Sequence, residues 1–118
     1  MAAVKRKIVI EKGATFRLNL RLKDELGVFL NLTGYVGRMQ VRATLDSEVV
    51  ALDLSGGFTF DAVGRCRVRA TAAQTTALTI AAGVYDLEIE SPAGDVDRLF
   101  KGAVVIEPNV TRPPGTPP

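Results

Sequence analysis

Three acidic residues at alternate positions are the best candidates for chemistry in this sequence. Asp86, Glu88 and Glu90 alternate with the apolar Leu87 and Ile89, so a β-strand would present all three carboxylates on one face. Neighbouring carboxylates would then lie about 6.5 to 7 Å apart, because a strand rises about 3.3 Å per residue. Such separations resemble those between the paired carboxylates of glycosidases.

An acidic outer strand face gives the same distances without any catalytic role. Three basic residues, Arg65, Arg67 and Arg69, also alternate and would supply cross-strand partners for the carboxylates. A calcium site completed by Asp95 or Asp97 is a further alternative. We expect a solvated or salt-bridged face rather than a metal site or a catalytic pair.

Missing residue types narrow the chemistry further. The chain has no His and a single Cys, so it cannot by itself form a Ser-His-Asp triad, a Cys-His pair, or a His or multi-Cys metal site. Residues 55–57, Ser-Gly-Gly, lack the Lys and the spacing of a phosphate-binding loop. Cys66 lies on the apolar side of its alternation and is predicted to be a small core residue. We predict no catalytic, cofactor-binding or metal-ligating residue and no enzymatic activity.

Length and charge are those of one globular domain. The chain has 118 residues, of which 47% are hydrophobic and 24% charged, with a net charge of +2. The basic surplus lies within residues 1–42, and we interpret it as complementary charge on opposite strands, because no aromatic stacking platform accompanies the arginines. No apolar run is long enough for a signal peptide or a membrane span. We expect synthesis in the cytoplasm and neither a nucleic-acid nor a membrane partner.

Alternation of apolar and polar residues also predicts the elements that carry these side chains. The pattern is clearest at 16–23, 35–43, 64–70 and 83–90, and further strands are expected at 28–30, 48–54, 58–60, 96–101 and 103–107. Thr71 and Gln74 have the spacing of a capping box, which predicts one short helical insert. The glycine pair after Ser55 suggests a tight hairpin with positive φ. Seven to nine short strands favour an all-β, antiparallel two-sheet β-sandwich of immunoglobulin-like type, with a small barrel as the alternative.

The two ends of the chain differ in composition from the region between them. Residues 1–7 form a basic N-terminal arm, residues 8–107 the β-sandwich domain, and residues 108–118 a Pro-rich, extended C-terminal arm. Five of the six prolines of the chain fall in this last segment. Such a segment cannot join a central strand, because proline lacks the amide donor.

Several segments resemble a group of small proteins encoded by tailed bacteriophages and prophages. The resemblance rests on residues 11–16, 32–42, 83–89, 94–102 and 104–112, in their order and spacing. It implies an immunoglobulin-like structural component of the virion, in the tail, baseplate or neck, without enzyme activity or cofactor. It also implies, as partners, other virion proteins and copies of the chain itself in a symmetric assembly.

The two arms are the predicted partner contacts. Many weak contacts on linked copies would give the assembly its affinity. A stiff polyproline arm would lose little entropy on docking. We expect Lys5, Arg6, Lys7 and Arg112 to act as electrostatic contacts and Pro113, Pro114, Pro117 and Pro118 to act through their shape.

The alternative function is a carbohydrate- or host-surface-binding accessory module on a phage tail. Sites for sugars usually display aromatic rings, but this chain has no Trp. Tyr35 and Tyr85 both fall on the apolar side of their strands, which counts against this alternative.

Overall fold

The computed structural model describes residues 3–111, whose strands lie in two β-sheets. In chain order the strands are β1 (Val4–Lys5), β2 (Ile8–Glu11), β3 (Phe16–Arg21), β4 (Val36–Arg42), β5 (Leu52–Asp53), β6 (Phe58–Phe60), β7 (Arg65–Ala70), β8 (Ala82–Glu90) and β9 (Val96–Glu107). A 3-10 helix, Ser55–Gly57, precedes β6, and the α-helix α1, Ala72–Thr76, follows β7. The nine strands of this part of the chain agree with the predicted seven to nine.

The larger sheet has the strand order β1-β9-β8-β4-β5, with β2 also paired to β9, and the smaller sheet has the order β3-β7-β6. The all-β, two-sheet prediction is therefore confirmed. The expectation of purely antiparallel pairing is wrong at one edge, because β1 and β2 both pair with β9 in parallel. This happens because the chain crosses from the larger sheet to the smaller one between β2 and β3, so β2 lies beside the last strand rather than beside β3.

The N-terminal segment is part of the larger sheet from Val4 onward. Val4 and Lys5 lie opposite Phe100 and Lys101. The Arg6 N–H donates to the Lys101 carbonyl at 2.9 Å. The Arg6 carbonyl accepts a hydrogen bond from the Tyr85 hydroxyl at 2.7 Å. Residues 4–6 of the predicted basic arm are thus held by backbone and side-chain hydrogen bonds.

The core lies between the two sheets and follows the alternation of the sequence. Leu18 and Val68 point inward from the smaller sheet, and Met39 and Leu87 point inward from the larger one. Cys66 is fully buried, as predicted. Complete burial of a large apolar side chain contributes about 1.5–3 kcal/mol to folding, so these inward faces fix which side of each strand meets the solvent.

The predicted capping box of α1 is present. The Gln74 N–H donates to Thr71 Oγ1 at 3.2 Å, and the Thr71 N–H donates to Gln74 Oε1 at 2.8 Å. The next residue, Thr75, is fully buried, and its hydroxyl donates to the Ala14 carbonyl at 2.8 Å and accepts from the Gly13 N–H at 3.1 Å. These bonds fasten the short helix to the turn between β2 and β3.

Four local predictions are wrong in detail. Residues 28–30 do not form the expected strand, because Phe29 makes a single β-bridge to Lys23 and the pairing does not continue. Neither glycine of Ser55–Gly57 has positive φ, and this turn is a 3-10 helix. The strand expected at 48–54 is limited to Leu52–Asp53, and the residues before it form a loop in which the Arg42 guanidinium donates to the Ser47 carbonyl at 2.6 Å. The two strands expected after residue 95 are one strand, with a register shift opposite Leu87 and Glu88.

Candidate functional site

The three carboxylates of β8 are held in ion pairs. Arg38 on β4 donates through Nε to Glu88 Oε1 at 2.7 Å and through Nη2 to Glu90 Oε1 at 3.1 Å. Arg98 on β9 lies 3.5 Å from Asp86, measured from Nε to Oδ2. The hydrogen bond to Glu88, and then that to Glu90, raises the pKa of Arg38. The predicted salt-bridged face is therefore confirmed.

The predicted partners of these carboxylates are wrong. Arg65, Arg67 and Arg69 lie on β7 in the smaller sheet, whereas the acidic β8 pairs with β4 and β9 in the larger one. Cross-strand partners must be neighbours in the same sheet, so the acidic strand and the basic strand cannot meet.

The calcium alternative finds no ligand set in the described part of the chain. Asp95 and Asp97 are exposed beside the hairpin between β8 and β9. Within residues 3–111 there is no group of three or more His, Cys, Asp or Glu side chains that could hold a metal ion.

The outer face of the smaller sheet carries the most concentrated charge. Arg17 and Arg21 project from β3, and Arg65, Arg67 and Arg69 project from β7, all of them exposed. We call this set of five arginines the arginine face. With Asn19, Thr59 and Gln74 they line an open groove of about 1050 Å³.

The strand register places like charges side by side on this face. Arg17 lies directly opposite Arg69, and Arg21 lies directly opposite Arg65. Arg67 lies between Asn19 on one neighbouring strand and Thr59 on the other. Residues directly opposite on antiparallel strands have Cβ atoms about 4.5–5.5 Å apart, and like charges at that separation are destabilising. The fold itself therefore gains nothing from this arrangement of charge.

The arginine face has no carboxylate partner in the described residues. Ion pairs within residues 3–111 involve Arg38 and Arg98, both of the larger sheet. The residues outside that range contain no Asp or Glu. The face is consequently a concentration of positive charge, and none of its five arginines forms an ion pair within the described residues.

The Asp61 carboxylate interacts with two arginines of the arginine face, and it also accepts hydrogen bonds within a turn. Its Oδ1 accepts the N–H groups of Val63 and Arg65, each at 2.9 Å. These bonds, that of Arg65 first, lower the pKa of Asp61, and the charges of Arg65 and Arg21 lower it further. Asp61 therefore stays ionised and fixes the turn that leads into β7.

One end of the arginine face is oriented by an aromatic ring. The Arg21 guanidinium carbon lies 3.7 Å from the centre of the Phe29 ring, and its Nε donates to the Val63 carbonyl at 3.3 Å. Lys23 Nζ lies 4.8 Å from the same ring centre. Phe29 is brought there by a single β-bridge to Lys23. These contacts orient the Arg21 guanidinium.

The residues predicted as partner contacts lie elsewhere. Lys5, Arg6 and Lys7 are exposed at the β1 edge of the larger sheet, and the Arg6 guanidinium carbon lies 5.6 Å from the centre of the Phe100 ring. Lys5 also lines a second groove of about 650 Å³ on that sheet. The remaining predicted contacts lie outside the described residues: Arg112, Pro113, Pro114, Pro117 and Pro118.

Sequence reasoning did not find the arginine face, although its components are visible in the sequence. Polar positions 17, 19 and 21 hold Arg, Asn and Arg, and arginines occupy the alternate positions 65, 67 and 69. The face forms because β3 pairs with β7. Alternation within each segment does not reveal that pairing.

No protein-family model matches this sequence, and no curated protein is found to be similar to it. None of the helices within residues 3–111 has both the length and the hydropathy needed to span a bilayer.

Proposed function

We propose that this chain is an immunoglobulin-like structural component of a tailed-phage virion, located in the tail, baseplate or neck. It has no catalytic role and is held in place by contacts with other virion proteins and with copies of itself. The protein is made in the cytoplasm of the bacterial host and becomes part of the particle. The resemblance of its turn and strand segments supports the assignment to a virion.

The strand order supports the immunoglobulin-like part of the proposal. In variable-type immunoglobulin domains one sheet contains strands G, F, C and C′, and the other contains B, E and D. If β1 and β2 together count as the first strand, A, then β3 to β9 correspond in chain order to B, C, C′, D, E, F and G. The larger sheet, β9-β8-β4-β5, then has the order G-F-C-C′, and the smaller sheet, β3-β7-β6, has the order B-E-D. The order of these seven strands is the one expected for an immunoglobulin-like domain, whereas the first strand pairs with β9 rather than joining the smaller sheet.

The arginine face is the observation that carries the proposal of a contact protein. Opposed arginines cost the isolated domain free energy, and their placement on an open sheet face gives a surface suited to an anionic partner. A surface of this kind recognises another macromolecule through shape and charge. The grooves of the two sheets leave such a partner free access.

Both tyrosines are engaged within the domain, which favours protein contacts over a sugar site. Tyr85 is buried, and its hydroxyl bonds to the Arg6 carbonyl. The half-buried Tyr35 ring lies 6.2 Å from the Phe60 ring, centre to centre. Neither ring is therefore displayed as the flat platform on which a sugar stacks.

Fractionation of particles tests this function. The gene would be tagged in the phage or prophage that carries it, particles would be purified by density gradient after induction, and the tagged chain would be quantified against a known virion protein. We expect a fixed ratio of the tagged chain to that protein across the particle peak. A soluble host enzyme serves as the contamination control. Recovery of the chain with that enzyme, outside the particle peak, would overturn the proposal.

A further inference from the structure

We propose that the arginine face binds an extended acidic segment of a neighbouring virion protein, with carboxylates at every second residue. This inference rests on the proposed function, because it names the chemistry of one assembly partner. It assigns the contact to β3 and β7 rather than to the two arms of the chain.

The spacing of the arginines matches that of an extended chain. Arg65, Arg67 and Arg69 occupy alternate positions of β7 and point to the same side. Alternate residues of any strand lie about 6.5 to 7 Å apart. Acidic residues at alternate positions of an extended partner would thus each meet one guanidinium. Within the chain itself, Glu88 and Glu90 at this spacing both reach one guanidinium, that of Arg38, so carboxylates at alternate residues can bind arginine from a neighbouring strand.

The positive charges of the face are arginines rather than lysines, which favours a partner that presents carboxylates. The five charged residues of the face are all Arg, whose planar fork binds a carboxylate through two parallel N–H bonds. The opposed pairs add a second donor row, because Arg17 faces Arg69 and Arg21 faces Arg65. A carboxylate between the rows reaches two guanidinium groups and removes their mutual repulsion.

The surroundings of the arginines favour a peptide over a polynucleotide. Single-stranded nucleic acids are usually bound by stacking their bases on exposed aromatic rings. Phe58, which lines the groove, is stacked on Phe60 with ring centres 5.8 Å apart, and Phe29, whose ring contacts the Arg21 guanidinium, does not line the groove. The other lining side chains, among them Asn19 and Thr59, offer hydrogen bonds suited to a peptide backbone.

Fluorescence anisotropy with a labelled peptide of alternating Glu and Thr tests the proposal. We expect saturable binding that weakens as salt is added, because the ion pairs are exposed. The triple variant Arg65→Gln, Arg67→Gln, Arg69→Gln should lose about tenfold or more in affinity. Its matched control is Lys5→Gln, Arg6→Gln, Lys7→Gln, which removes the same charge elsewhere and should bind as the unmodified protein does. Circular dichroism would check that both variants are folded.

Two further probes test spacing and class of partner. A peptide of the same composition with all Glu residues in one block should bind more weakly, and equal binding would overturn the alternate-residue match. Single-stranded DNA of the same charge should also bind more weakly, and tighter binding would overturn the peptide assignment. Equal loss of affinity in both triple variants would overturn the location.

Failure of this inference differs from failure of the proposed function. If the chain is recovered in particles but the β7 triple variant is incorporated normally, the arginine face is not an assembly contact and the virion role stands. If the chain is absent from particles, the virion role fails, whatever the peptide binding shows.

Discussion

Arg17 and Arg69 lie directly opposite each other on neighbouring strands of the smaller sheet. On the larger sheet the corresponding relationship is between Arg38 and Glu88, which are opposite each other and joined at 2.7 Å. Ion pairs thus join the strands of the larger sheet, whereas no ion pair of the described residues involves the arginine face. This difference is the reason for placing the proposed partner contact on the smaller sheet.

Reversing one charge of the opposed pair should stabilise the domain. Arg17→Glu replaces a repulsive cross-strand pair with an attractive one, which we expect to raise the free energy of unfolding by about 0.2–1 kcal/mol. Urea unfolding at low salt would measure the gain. The gain should shrink in high salt, because exposed charges are screened.

The double variant Arg17→Glu, Arg69→Glu is the control for this charge reversal. It restores a like-charged pair, so its stability should return towards that of the unmodified protein. A double variant as stable as Arg17→Glu alone would show that the opposed arginines do not interact.

Gly57 should tolerate no side chain, whereas its neighbour Gly56 should accept one. A Cβ atom on Gly57 would lie 1.9 Å from the Arg69 carbonyl oxygen, and one on Gly56 would meet nothing within 4 Å. The obstacle at Gly57 is backbone, so a change of rotamer cannot relieve it. We expect Gly57→Ala to cost about 1–3 kcal/mol and Gly56→Ala to be neutral or slightly stabilising.

Thermal or urea unfolding of the two glycine variants would compare these costs directly. The variants add the same methyl group to the same 3-10 helix, so each controls for the other. Similar stability of both variants would contradict the close approach of this helix to β7.

Local sequence signals predicted the strands and the helix cap, but not which strands are neighbours. Alternation places Leu18 and Val68 inward, and the spacing of Thr71 and Gln74 gives the capping box. Both are properties of a few consecutive residues. Strand pairing depends on the packing of the whole chain. Local patterns therefore could not identify Arg38 as the partner of Glu88.

The parallel edge and the glycine contact were unpredictable for the same reason. The pairing of β1 with β9 joins the two ends of the chain, and the constraint on Gly57 comes from the Arg69 carbonyl on another strand. The arginine face is of this kind too, because it exists only once β3 lies beside β7.

Removing the Tyr85 hydroxyl should loosen the N-terminal strand. In Tyr85→Phe the Arg6 carbonyl loses its 2.7 Å hydrogen bond, at an expected cost of about 0.5–1.5 kcal/mol. Amide exchange at Arg6, whose N–H donates to the Lys101 carbonyl, should become faster. Mass spectrometry of exchanged peptides would measure this.

Tyr35→Phe is the matched control for the tyrosine prediction. It also removes one hydroxyl, but the ring contact between Tyr35 and Phe60 remains. Exchange at residues 4–6 should be unchanged in this variant. Equal acceleration in both variants would contradict a specific role for the Tyr85 bond.

Cys66 should make the fold sensitive to alkaline pH. Burial raises the pKa of its thiol from the ordinary value of 9.0 to about 11. The unfolded chain therefore loses the thiol proton first, and the contribution of this group to stability is fully present below pH 9 and is lost as pH rises towards 11. At about 1.4 kcal/mol for each pH unit, the loss amounts to about 2–3 kcal/mol. Urea unfolding from pH 8 to pH 11 would measure it.

Cys66→Ala separates the thiol from other groups that titrate in the same range. Tyr85 is one of these, because burial raises its pKa as well. The variant should be less stable than the unmodified protein at pH 8, since it leaves a small cavity, but its stability should fall less steeply between pH 9 and pH 11.

The burial of Cys66 should also protect its thiol from an aromatic disulfide reagent until urea unfolds the domain. Rapid labelling of the folded protein, or parallel pH profiles for the two proteins, would show that Cys66 is not sealed in the core.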